Sequence, residues 1–119
     1  MVADSPLSQR RLDLPPDIFA LCMFGSGTWL IGSAANPERT PPFKDYDMVV
    51  PWSDWSAFAL QIPLVATFNR FTRFGGLSLT MRASGVALDV WPDDIGRLAT
   101  MPFPFHAWHV KSHSLLTRS

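Results

Sequence analysis

The stretch KDYDMVV, Lys44 to Val50, decides how the rest of the chain is read. Polar and apolar residues alternate from Asp45 to Met48, and the stretch turns fully apolar at Val49-Val50 before Pro51. That pattern predicts a strand leaving an exposed edge for the core. Asp45 and Asp47 lie two residues apart on it, so both carboxylates point to the same face of a sheet.

Just upstream, FGSGTWLIGS, Phe24 to Ser33, holds two Gly-Ser pairs. The first follows a helix signal. Asp13-Leu14-Pro15-Pro16-Asp17 marks a start with proline in the first turn, and Ile18, Phe19, Leu21 and Cys22 give one apolar face. Gly25-Ser26-Gly27 is then a helix end and a turn. Thr28 to Ile31 predicts a short buried strand, ending at the second pair, Gly32-Ser33. Residues 34–44, AANPERTPPFK, contain three prolines, at 37, 41 and 42, and leave room for at most a turn or two of helix.

Downstream, Ser53-Asp54 predicts the cap of a helix from Trp55 to about Gln61, closed by Pro63. Leu64 to Phe68 predicts a short strand, and Asn69 to Gly76 a loop carrying Arg70 and Arg73. LSLTMRA and VALDVWP flank Ser84-Gly85 and predict a β-hairpin. The hairpin sets Asp89 on a strand, between Leu88 and Val90. Asp93-Asp94 starts a short helix to about Thr100, Pro102 and Pro104 break the chain, and Phe105 to Val110 predicts a last strand before a frayed tail. The expected organisation is an irregular N-terminal arm over residues 1–14 and a single domain over 15–119, without repeats.

Composition bounds the function. The chain has 119 residues, 47% of them hydrophobic, which suits one domain with a modest core. Formal net charge is zero, so nothing general points to nucleic acid or membrane. No apolar run approaches the ~20 residues of a membrane span. The polar opening MVADSPLSQRR is not a signal peptide. The single Cys22 excludes an internal disulfide framework and fits a reducing compartment. A soluble, cytoplasmic domain is expected. Eleven prolines and five tryptophans predict short elements held by large aromatics.

A carboxylate flanked by buried residues, as Asp89 is, costs free energy unless paired or bound to a cation. Three carboxylates converging on one face would repel one another. Hard divalent cations such as Mg²⁺ take oxygen ligands and chelate phosphates, which relieves that repulsion.

In these residues the chain resembles the nucleotidyltransferase superfamily of DNA polymerase beta, poly(A) polymerases and CCA-adding enzymes. That pattern is a strand ending in Gly-Gly or Gly-Ser, a spacer, Asp-apolar-Asp-apolar, and a later strand with one more Asp. Here it stands as Leu30-Ile31-Gly32-Ser33, eleven intervening residues, Asp45-Tyr46-Asp47-Met48 and Leu88-Asp89-Val90. WLIGS…KDYDMVV is most similar to the head domain of CCA-adding enzymes and poly(A) polymerases. FGGLSLTMRASGVALDVWPDD looks like the third-carboxylate hairpin of bacterial and phage members. The likeness covers roughly residues 15 to 100.

The resemblance implies an α/β (α+β) nucleotidyltransferase fold: a mixed, twisted β-sheet with helices mainly on one side. It implies a catalytic and metal-binding triad of Asp45, Asp47 and Asp89 holding two Mg²⁺ or Mn²⁺ ions. Gly32 and Ser33 would hold the triphosphate of an NTP, with Lys44 and Arg73 as further nucleotide contacts. The reaction would move a nucleoside monophosphate to an acceptor, an RNA, a protein hydroxyl or a small molecule, and release pyrophosphate. Two departures stand against it. Relatives carry Arg-Asp soon after the glycines, where this chain has Asn36-Pro37. The chain also stops where relatives add domains that grip the base and the acceptor strand. It is therefore either a minimal single-domain transferase or an inactive fold kept for protein interaction or self-association.

Simpler roles compete for several residues. Lys44, Arg70 and Arg73 also suit a solvated surface. His106, His109 and His113 do not share one strand face and do not repeat a tetrahedral metal spacing. Trp29, Trp52, Trp55, Trp91 and Trp108 are expected in the core, with Trp91 near enough to Asp89 to stack a base. Cys22 is expected as a small buried hydrophobe.

Overall fold

The computed structural model describes residues 7–102 and 105–118. Its strands are β1 (Trp29–Ile31), β2 (Asp45–Pro51), β3 (Ala66–Phe71), β4 (Leu77–Met81), β5 (Ala87–Asp93), β6 (Phe105–His109) and β7 (Ser114–Arg118). Its helices are α1 (Leu7–Asp13), α2 (Pro16–Cys22), α3 (Trp52–Val65) and α4 (Arg97–Thr100). The strands form one seven-stranded mixed sheet in the order β3-β4-β5-β2-β1-β6-β7. Only β2 and β5 run parallel; the other neighbours are antiparallel.

The alternation in β2 divides the sheet into two faces. Tyr46, Met48 and Val50 enter the core, with Leu30, Leu79, Leu88, Val90 and Trp108 from neighbouring strands. Leu7 of α1, Ile18, Leu21 and Cys22 of α2, and Phe58 and Ile62 of α3 belong to the same cluster. Each such side chain taken from water contributes roughly 1.5–3 kcal/mol before entropy is charged against it. Three helices therefore cover one face, and the face carrying Asp45, Asp47 and Asp89 is free of them. Burial pushes the Cys22 thiol up to about 12, which keeps it neutral.

The predicted α2, the strands at 29–31 and 45–51, and the hairpin around Ser84-Gly85 are all present. Besides α4, which starts only at Arg97 because Asp93 is the last residue of β5, four elements differ from expectation. The first is the supposedly irregular arm, which is helical over Leu7–Asp13; the rest of it, residues 1–6, lies outside the described residues, as does Pro104. Leu7 is buried, and the Arg10 guanidinium donates to the carbonyls of Ala34 at 3.0 Å, Asn36 at 2.8 Å and Arg39. These bonds tie α1 to the segment after Gly32-Ser33. Arg10→Ala strands those carbonyls, and we expect a loss of about 2–3 kcal/mol in urea unfolding, with the 34–39 amides exchanging faster.

The second is α3, which starts at Trp52 and runs through Pro63. Asp54 does not cap it. Its carboxylate instead accepts from the Ser26 N–H at 3.1 Å and the Ser26 hydroxyl at 2.6 Å, fixing the first Gly-Ser turn. Third, Arg70 lies on β3 rather than in a loop. Fourth, the tail pairs with β6 as β7. Among the tryptophans, Trp108 is buried, Trp29, Trp55 and Trp91 are half-buried, and Trp52 is exposed.

Candidate active site

Asp47 of β2 stands in register with Asp89 of β5, its parallel neighbour. Asp45 is two residues back on the same face. The row continues outward in both directions: Ile31 of β1 pairs with Asp47, and Ser78 of β4 with Asp89. A bulge at Asn69, anchored by its amide donating to Thr80 Oγ at 2.9 Å, puts Arg70 of β3 opposite Ser78. Bulges re-aim side chains in this way. Arg70 thus joins the carboxylate face.

Gly32 follows β1 with φ of 71° and opens a 3₁₀ turn, Gly32–Ala35. A Cβ there would stand 2.9 Å from Oδ2 of Asp47. Glycine is required twice over, for the left-handed backbone and for the approach to the carboxylate. The sequence motifs Gly32-Ser33 and Asp45-x-Asp47 therefore meet in space.

Asp47 is half-buried, and its carboxyl is pushed up to about 6 by burial first, then by the negative charges of Asp45 and Asp89. Among the described residues, no hydrogen bond or ion pair holds the carboxylates of Asp45, Asp47 or Asp89. The one ion pair found there joins Arg97 to Asp94 at 3.3 Å. Asp47 is thus held near Asp45 and Asp89 at a cost, without the partners a structural role would supply.

Two clefts open on neighbouring positions of the sheet, and Asp45, Asp47 and Asp89 line neither. One, of about 390 Å³, is lined by Gly32, Ser33, Asn36, Arg39 and His106, among others. The second, of about 470 Å³, is lined by Val49, Arg73, Phe74, Trp91, Ile95 and Arg97 with their neighbours. Ile31 and Met101 line both. Of the basic residues singled out from sequence, Arg73 lines the second cleft, and Lys44 is exposed and lines neither. Arg39 and His106 beside Gly32-Ser33 were not anticipated. His106 comes from β6 and its Nδ1 lies 3.2 Å from Thr117 Oγ, so only the sheet order brings it there.

Among the described residues, no three His, Cys, Asp or Glu side chains are gathered as a ready-made metal cage. The donor chemistry still suits Mg²⁺, which is commonly held by one or two carboxylates together with substrate phosphates. Among the described residues, no helix is long and apolar enough to cross a membrane. No protein-family model, curated protein or solved structure matches the chain.

Proposed function

We propose that the chain is a Mg²⁺-dependent nucleotidyltransferase of the DNA polymerase beta type. The observation that supports this most is the carboxylate row, without bonded partners among the described residues: Asp47 and Asp89 in register, Asp45 on the same strand face, and Gly32 against Asp47. Asp45, Asp47 and Asp89 would hold the Mg²⁺ ions, or Mn²⁺, which supply positive charge beside the phosphate oxygens. Backbone N–H groups of Gly32-Ser33 and the Ser33 hydroxyl would bind the triphosphate, with Arg39 offering positive charge and His106 a ring nitrogen from the same cleft. The acceptor hydroxyl attacks the α-phosphorus. The new oxygen–phosphorus bond forms as the bond to the bridging oxygen breaks, and pyrophosphate leaves. Asp89 would help take the hydroxyl proton. Gly32, set against Asp47, would let the phosphates approach the metal-binding carboxylates, and such positioning carries much of the catalysis of phosphoryl transfer.

A paramagnetic titration tests this. Mn²⁺ added with a non-hydrolysable NTP should broaden amide signals around Gly32, Asp45, Asp47 and Asp89 before others. Broadening spread evenly over surface acids would count against the site.

A second reading, an inactive module that binds a protein partner or itself, draws on one observation. Trp52, Leu60 and Leu64 of α3 and Phe68 and Phe71 of β3 are exposed large apolar side chains. Self-association that persists in Asp45→Asn and Asp47→Asn variants, without nucleotide binding by the wild type, would favour it.

A further inference from the structure

The second cleft continues the carboxylate row. Val49 and Trp91 sit two residues beyond Asp47 and Asp89 on the same face, in register with each other. At the rise of a strand that step is about 6.6 Å. The cleft walls are apolar, from Ile31, Val49, Trp91 and Ile95.

Its rim is built with care for one ring. Phe74 adopts φ of 63°, ψ of 32°, a left-handed conformation that bulky residues avoid. The turn is held there from two sides. Trp91 Nε1 donates to the Arg73 carbonyl at 3.0 Å, and Arg97 Nη2 donates to the Phe74 carbonyl. Gly76 closes the turn where a Cβ would collide with Thr72 and the Trp91 indole. Yet the ring so positioned is 76% exposed. A strained backbone that sets an aromatic side chain at the wall of an open cleft, instead of burying it, is a feature that clusters at ligand sites. Arg97 is occupied by its bonds to Phe74, Pro92 and Asp94. Arg73 has no ion pair among the described residues and leaves its charge to the cleft.

We propose that this cleft holds the nucleobase and ribose of the nucleotide, the base stacked on Phe74 and the phosphates reaching back to the carboxylate row. The proposal rests on the nucleotidyltransferase reading and adds where the base goes. A flat ring with a π-face suits Phe74. An anionic ligand suits Arg73. The cleft volume of about 470 Å³ takes a base with its sugar.

Calorimetry with Mg²⁺ present tests this, with non-hydrolysable NTPs compared with inorganic tripolyphosphate. Wild type should bind nucleotide about ten-fold more tightly than tripolyphosphate. Phe74→Ala, at an exposed position, should lose about ten-fold for nucleotide and nothing for tripolyphosphate, and Phe74→Tyr should restore the difference. Equal wild-type affinity for the two ligands overturns the base site and leaves the carboxylate reading standing. So does an unchanged nucleotide affinity in Phe74→Ala, or an equal loss for both ligands. Binding of neither ligand by folded wild type overturns both.

Discussion

Asp47→Asn is expected to make the fold more stable at pH 7 while ending metal-dependent nucleotide binding. The Asp47 carboxyl titrates near its ordinary 3.8 in the unfolded chain and at about 6 in the folded one, raised by burial and then by Asp45 and Asp89. Folding therefore favours the protonated form. Below the unfolded value the group costs nothing. As pH rises through the folded value stability is lost, and at pH 7 the penalty is complete. Discounted for solvent screening of a partly exposed group, it is about 1–2 kcal/mol. The asparagine variant escapes it, and its melting temperature in EDTA should rise by about 5 °C at pH 7. The gap between the two proteins should close on lowering the pH toward 4. A variant that is less stable than wild type at pH 7, or a gap that does not depend on pH, would show that Asp47 is held by partners after all.

Gly32→Ala should act in the opposite direction. The new side chain must accept φ of 71° and a contact of 2.9 Å with Asp47 Oδ2. The left-handed backbone alone costs roughly 1–2 kcal/mol. Displacement of the carboxylate brings the loss to about 2–3 kcal/mol, or a fall of about 10 °C in melting temperature. A second variant separates the two causes. In an Asp47→Ala background the clash is gone, and Gly32→Ala should cost only the backbone share. The double-mutant cycle should therefore give a coupling of about 1 kcal/mol. Additive effects would mean that Gly32 does not press on Asp47.

Local signals made much of this site visible in the sequence. β2 shows in KDYDMVV because alternation and a final apolar pair say which face is wet. The hairpin shows because Ser84-Gly85 punctuates two apolar runs. Gly32-Ser33 shows because a glycine ends a buried strand. Three features depend on distant partners and leave no such trace. The first is α1, seven residues long with Leu7 as its buried anchor, docked by Arg10 onto carbonyls more than twenty positions away. Next, β7 is an edge strand with a half-buried Leu115 and exposed neighbours, so its pairing with β6, not its pattern, defines it. Last, the bulge at Asn69 that turns Arg70 toward the acids, and the convergence of Arg39 and His106 on Ser33, arise only in the folded sheet. The nucleotidyltransferase resemblance depended on the order of Gly32-Ser33, Asp45, Asp47 and Asp89. The structure adds that these residues are neighbours and that, among the described residues, their carboxylates have no hydrogen-bond or ion-pair partner.

The most direct measurement is calorimetric titration of a non-hydrolysable NTP into the wild-type protein and into folded Asp45→Asn and Asp47→Asn variants, each with Mg²⁺ and with EDTA. Binding by the wild type that requires Mg²⁺ and disappears in both variants is the predicted result. No binding by the folded wild type, or binding unchanged by EDTA and by both substitutions, would contradict a metal-dependent nucleotide site on this face.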